Sequence, residues 1–143
     1  MLRVVLDMNL FVSSLLIKSG LPAQAIDAWR ERNYLLVTSP TLIAEIVNTL
    51  SYDRIRRKYL ITNEDVAHLI SLLEKDALIV PGQTNISGVI PSDPDDEQVL
   101  ACAIECQADL IVSGDYHLLE LAEYKGISIV TVRQFLEKLS SQS

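Results

Sequence analysis

Asp7, Glu45, Asp96 and Asp115 are acids in places where folding alone gives little reason for an acid. Asp7 closes the apolar run Val4-Val5-Leu6, and Asp115 follows Leu110-Ile111-Val112-Ser113-Gly114. Asp96 falls within a helical apolar stripe formed by Val99, Leu100, Ala103 and Ile104. An unpaired charge in apolar surroundings is costly, so carboxylates kept there usually bind a cation or take part in chemistry. Oxygen ligands suit a hard divalent ion. Mg²⁺ or Mn²⁺ held by carboxylates in an open crevice polarises a phosphoryl oxygen and lowers the pKa of bound water. A second ion about 3.5–4 Å from the first would clamp the attacking and leaving oxygens. Without a cation the carboxylates repel one another, and some should hold their protons more tightly. These residues point to metal-dependent hydrolysis.

Each acid also has a simpler role. Asp7 would N-cap the segment after it, and Asp115 would cap the turn at 116–120, with Gly114 permitting a sharp bend before it. The dipole of the helix carrying Asp96 favours an acid in its first turn, but Asp93, Asp95 or Glu97 would already serve, the last two pointing to the flanks of the stripe. Glu45 lies at the edge of a face defined by Leu42, Ile43, Ile46, Val47 and Leu50, where a solvated flank residue is its natural reading.

Strands and helices alternate along the chain. Residues 2–6 read as a buried parallel strand. Helices are expected over 9–17 and from Pro22 to about 32, with a strand over 34–37. Ser39-Pro40 caps and opens a helix to about 51. Asp53 caps a short basic turn or helix over 54–59. Thr62 to Asp65 resembles a capping box opening a helix to about 75, and 77–80 is a strand stopped by Pro81-Gly82. A polar loop over 82–92 leads to Asp93-Pro94, which opens a helix to about 107. Strands at 109–112 and 127–130 and a last helix over 132–139 capped by Thr131 complete the pattern. This order predicts an α/β fold with a central, mostly parallel sheet. Its crevice lies at the carboxyl ends of the strands, where Asp7 and Asp115 would both point.

At 143 residues, all of them are expected to form one domain, 1–143. An apolar content of 49% supplies a sizeable core, and a charged content of 22% argues against disorder. No apolar run approaches the ~20 residues of a membrane span, and no signal peptide is visible, so a cytoplasmic protein with no membrane partner is expected. The net charge of −7 disfavours broad nucleic-acid binding without excluding a nuclease, because metal-ligating carboxylates contribute to it. Cys102 and Cys106 read as small, buried, reduced thiols. A zinc site would want four Cys or His ligands, and the only histidines are His68 and His117, so zinc is rejected. His117 reads as a surface residue, and His68 is given no role.

The motifs, in this order, resemble the PIN-domain family of metal-dependent ribonucleases, many of which are toxins of prokaryotic toxin–antitoxin pairs. VVLDMNLFVSSLL is similar to the family's opening motif, with Asp7 and Asn9 matching and Met8 where threonine is common. SPTLIAEIVNTL resembles the helix carrying the family's glutamate and places it on Glu45. DEQVLACA places the third acid on Asp96, and IVSGDYHLL the fourth on Asp115, with Ser113 where threonine or serine is usual. GISIVTVRQFLE resembles the last strand and helix. Some members carry a further acid after Asp115; here Tyr116, His117 and Leu118 follow, which puts a second metal in doubt.

The resemblance implies a three-layer α/β/α sandwich and an endoribonuclease. In that reading Asp7, Asp96 and Asp115 hold Mg²⁺ or Mn²⁺, and Glu45 binds or orients through water. Water attacks the phosphate in line, with no covalent enzyme intermediate. The implied substrate is single-stranded or looped RNA. The implied partners are a small antitoxin that blocks the crevice and a second copy in a homodimer; the apolar stripes 42–50 and 66–73 are candidate interfaces, with burial in the chain's own core as the alternative.

Arg54, Arg56, Arg57 and Lys58, flanked by Tyr52 and Tyr59, form the dense basic cluster and are candidate RNA contacts; a solvated helix face or a contact to an acidic partner is the alternative. Aspartyl-phosphatase chemistry of the haloacid-dehalogenase type wants a second Asp at the position of Asn9. A receiver domain wants a Lys near the last strand's end, which Lys125 does not provide. The non-enzymatic alternative is a PIN-like domain that binds RNA or protein without cutting.

Overall fold

The computed structural model describes residues 1–82 and 94–141, with the side chains of 94–96 excepted. The expected loop over 82–92 therefore lies outside the described residues from 83 onward, as does Asp93. Among the described residues six short strands form one sheet: β1 (Arg3–Leu6), β2 (Leu35–Thr38), β3 (Leu78–Ile79), β4 (Leu110–Val112), β5 (Glu123–Tyr124) and β6 (Ile127–Val130). Their order is β3-β2-β1-β4-β6-β5, with every pairing parallel except β5 against β6. The helices are α1 (Met8–Leu16), α2 (Leu21–Arg30), α3 (Pro40–Leu50), α4 (Asp53–Tyr59), α5 (Asn63–Asp76), α6 (Pro94–Cys106), α7 (Tyr116–Leu121) and α8 (Val132–Ser141).

The two-residue period of a strand sends alternate side chains to opposite faces. Val4, Leu6, Leu36, Leu110 and Val112 enter one core with α1, α2, α3, α5 and α8. Val5, Val37, Ile111 and Ile129 enter the other, chiefly with α6. The result is three layers, α/β/α. In the first core the Tyr34 and Phe135 rings meet edge to face at 4.8 Å, and the buried Tyr34 hydroxyl donates to the Ala25 carbonyl at 2.7 Å.

Local chemistry sets the helix starts. The Ser39 hydroxyl accepts from the Leu42 amide, with Pro40 at the first helical position. Thr62 and Asp65 form a reciprocal capping box at α5. Three sequence expectations differ. The strand expected over 77–80 shrinks to Leu78–Ile79, an edge strand whose side chains are both exposed. β5 has no sequence signal beyond two residues. The apolar stripes offered as dimer surfaces are largely consumed by the fold, since Leu42, Ile46, Leu50, Val66, Leu69 and Leu73 are all buried core. Among the described residues no helix is long and apolar enough to cross a membrane.

β1 has β2 on one side and β4 on the other. The chain moves outward from β1 to β2 and β3, then crosses by α6 to β4 on β1's other flank. Where successive connections leave in opposite directions, the strand ends part and open a crevice. That switch point falls between the carboxyl ends of β1 and β4.

Candidate active site

Asp7 is the first residue beyond β1, in extended backbone at the N-cap position of α1, and only 4% of it is exposed. Its amide continues the ladder to the Val112 carbonyl at 3.0 Å, and its own carbonyl accepts from Leu10. Its side chain makes no capping hydrogen bond. Instead Oδ2 accepts from the Ser113 hydroxyl at 2.7 Å, across the β1–β4 switch point. Ser113 is fully buried, and its Oγ accepts from the Asp115 amide at 2.9 Å. With that lone pair taken, its one proton is directed to Asp7.

Burial is the main cause that raises the Asp7 pKa above its ordinary value. The Ser113 hydroxyl and the nearby Asn9 and Met8 amides oppose that shift, and the Asp115 charge adds to it. Two carboxylates thus face one crevice, close enough to repel. Asp115 is half-buried and also caps α7, Oδ1 accepting from the His117 amide at 2.8 Å. Its structural role is real, and one oxygen is committed to it. Asn9 is exposed in the first turn of α1. Met8 accepts a hydrogen bond on sulfur from Thr49 Oγ1 at 3.3 Å, linking α1 to α3. Glu45 lies four residues before Thr49, on the same side of α3, and is half-buried.

Asp96 is the third residue of α6. The orientation of α6 places it. The Arg3 guanidinium donates to the Cys106 carbonyl at 3.0 Å, so the helix ends beside the start of β1. The helix rises about 15 Å from Cys106 back to Asp96, and β1 advances about 13 Å from Arg3 to Asp7. The Asp96 backbone is therefore level with Asp7 at the carboxyl edge of the sheet. Val99, Leu100 and Ala103 are buried as the stripe requires. The Asp96 side chain itself lies outside the described residues. Sequence reasoning put Glu97 on a flank, yet it is buried, 7% exposed. The available signal was that Leu100 and Ala101, three and four residues on, are apolar and themselves buried.

These donors are all carboxylate and hydroxyl oxygens, the chemistry a hard divalent ion prefers, and the buried, charge-opposed Asp7 is a group such an ion would relieve. The structure joins Asp7 and Asp115 directly through Ser113. Among the described residues, which exclude the Asp96 side chain, no three His, Cys, Asp or Glu side chains gather as a metal group. Cys102 and Cys106 are buried free thiols, as expected, and burial pushes Cys102 up to about 12.

The basic cluster divides. The Arg56 guanidinium donates from Nε to the Leu50 carbonyl at 2.7 Å and from a terminal nitrogen to Asn63 Oδ1, bracing the end of α3 to the start of α5. Arg54, Arg57 and Lys58 are exposed, and no residue of α4 is buried. His117 is exposed and meets the Tyr116 ring edge-on at 5.9 Å.

The family model for the PIN domain matches residues 3–117, a stretch that includes Asp7, Glu45, Asp96, Ser113 and Asp115. An uncharacterized protein of Methanocaldococcus jannaschii is 26% identical over 145 residues, covering 96% of this chain and 91% of that protein.

Proposed function

We propose, because the chain belongs to the PIN-domain family, that it is a metal-dependent endoribonuclease acting on single-stranded RNA. The fold is of nuclease type. The observation that carries the reading further is Asp7: a buried carboxylate at the sheet's switch point, hydrogen-bonded by Ser113, opposed by Asp115 and eased by the first-turn amides of α1.

In this reading Asp7, Asp96 and Asp115 would hold Mg²⁺ or Mn²⁺, with Glu45 beside them. The ion, when bound, supplies charge stabilisation at the phosphoryl oxygens and a water of lowered pKa. The chain's own residues do the positioning. Ser113 fixes one Asp7 oxygen. Asp115 keeps one oxygen for the α7 cap and offers the second. Asn9 is exposed in the first turn of α1, its backbone amide favouring the ionised form of Asp7. Glu45, half-buried on the α3 face shared with Thr49, would bind the ion or orient water. Residues 1–143 act as one nuclease domain.

We further assign the chain, on its family resemblance, to the toxin component of a toxin–antitoxin pair in the cytoplasm. A small antitoxin would cover the crevice, and a second copy would bind through a surface other than the buried stripes of α3 and α5. The test is cleavage of a mixed single-stranded RNA panel with Mg²⁺ or Mn²⁺, with EDTA controls, by the wild type and Asp96→Asn. The expected result is metal-dependent cutting reduced at least 100-fold by the substitution, with the fold intact by circular dichroism. Unchanged cutting by Asp96→Asn overturns the site. RNA binding without cutting by the wild type points instead to a non-catalytic PIN-like domain.

A further inference from the structure

α4 sits at the crevice end of the molecule, and α5 shows this. Lys75 and Asp76 at the end of α5 line a cleft with Met1 and Leu35, at the starting edges of β1 and β2. α5 has 14 residues and spans about 21 Å, so it begins, and α4 ends, toward the opposite edge, where the strands terminate. Thr49, just before α4, touches Met8 beside Asp7. From Glu45 the chain rises only about 8 Å along α3 before the turn into α4.

The surface of α4 is unusual for this chain. Four of its twelve Lys and Arg residues fall within the seven residues of α4, against a net charge of −7. Cations in a last helical turn suit the helix dipole. The dipole gives no reason for the apolar groups exposed beside them: Tyr52 at 56%, Tyr59 at 39% and Leu60 at 82%. The Lys58 ammonium lies 5.3 Å from the centre of the Tyr59 ring, so cation and aromatic face already share one surface. Arg56 is excluded from that surface by its brace to Leu50 and Asn63. Exposed cations interleaved with open aromatic faces match a polyanion whose rings are unpaired.

We propose that Arg54, Arg57 and Lys58, with Tyr52 and Tyr59, form an arm that binds the flank of a single RNA strand whose scissile phosphate lies in the crevice; this rests on the nuclease reading. On an acidic protein the arm supplies the local attraction that the whole chain lacks. The arm lies outside the Asp7–Ser113–Asp115 site, so it acts on substrate binding and not on the chemical step.

The test compares the wild type with Arg54→Gln/Arg57→Gln/Lys58→Gln on single-stranded oligoribonucleotides of increasing length, folding being checked by circular dichroism. On long strands the triple variant should raise KM roughly tenfold or more while kcat changes far less, and on the shortest cleaved strands the two proteins should converge. The slope of log affinity against log salt should flatten by about 2, from three lost phosphate contacts. Tyr59→Ala should raise KM on long strands, and Tyr59→Trp should restore it. A triple variant with wild-type KM and salt slope on a strand the wild type cleaves overturns the arm. If the wild type cleaves nothing, the nuclease reading falls separately and the arm is judged by binding of a labelled single strand. Salt-sensitive binding lost in the triple variant supports it; equal binding, or none by the wild type, overturns it.

Discussion

A carboxylate that is 4% exposed, hydrogen-bonded by one serine and opposed by a second acid is poorly placed to help the fold. The Asp7 pKa in the fold lies above its unfolded value of 3.8. The native state therefore holds this proton more tightly than the unfolded chain. The group's contribution to stability is largest below 3.8 and is lost as pH rises through the native value. Asp7→Asn keeps a side-chain oxygen for the Ser113 hydroxyl and removes the charge. In EDTA at pH 7 it should be more stable than the wild type, with the gap closing as pH falls through the native value. Denaturant melts of both proteins across that range check this; a variant weaker than the wild type at pH 7 would sink the account. The acid was legible in sequence because it ended an apolar strand. Its hydrogen-bond partner was not, since a cap and a ligand both want an acid there, and Ser113 lies 106 residues further along the chain.

Between elements, the strongest departure from the sequence reading concerns Arg56. Sequence composition groups it with Arg54, Arg57 and Lys58, but the structure spends its guanidinium on the end of α3 and the start of α5. Hydrogen bonds made by a charged group are worth about 1.5–3 kcal/mol, against about 0.5 kcal/mol or less for an ordinary surface change. Arg56→Ala should lower the denaturation midpoint by the corresponding amount at unchanged m value, and Arg57→Ala should leave it nearly in place. Equal shifts in the two variants would remove the brace. The dimer stripes teach the same lesson. Periodicity identifies an apolar face, but not whether its partner is this chain or another, and here α3 and α5 turn theirs inward.

At the scale of the whole molecule, the sheet order decides where chemistry can occur. β1 and β4 are more than a hundred residues apart in sequence and hydrogen-bonded in space, Val5 against Ile111 and Leu6 against Val112. That pairing brings Asp7 to Ser113, and the reversed course of α6 brings the Asp96 backbone to the same edge. An ion bound there engages only the native chain, so it must stabilise the fold by mass action. At a hundredfold excess over Kd the gain is about 2.7 kcal/mol, a rise of several degrees in Tm. Mn²⁺ added to metal-stripped wild type should produce that rise, and Asp7→Asn should show little of it. An equal rise in both proteins would place the ion elsewhere.

The sequence by itself determined the kinds of element and most of their positions, because strand alternation, helical stripes, Pro at first helical positions and Ser and Thr caps are local signals. It also singled out the acids, because a charge amid apolar neighbours is costly wherever the chain goes. Only the tertiary structure decided what each side chain meets. It committed one oxygen of Asp115 to a cap, buried Glu97, withdrew Arg56 into a brace and closed the apolar stripes into the core. Local spacing sets which way a group points along its own element, whereas its partner comes from a strand or helix distant in the chain, and that pairing exists only once the sheet has formed.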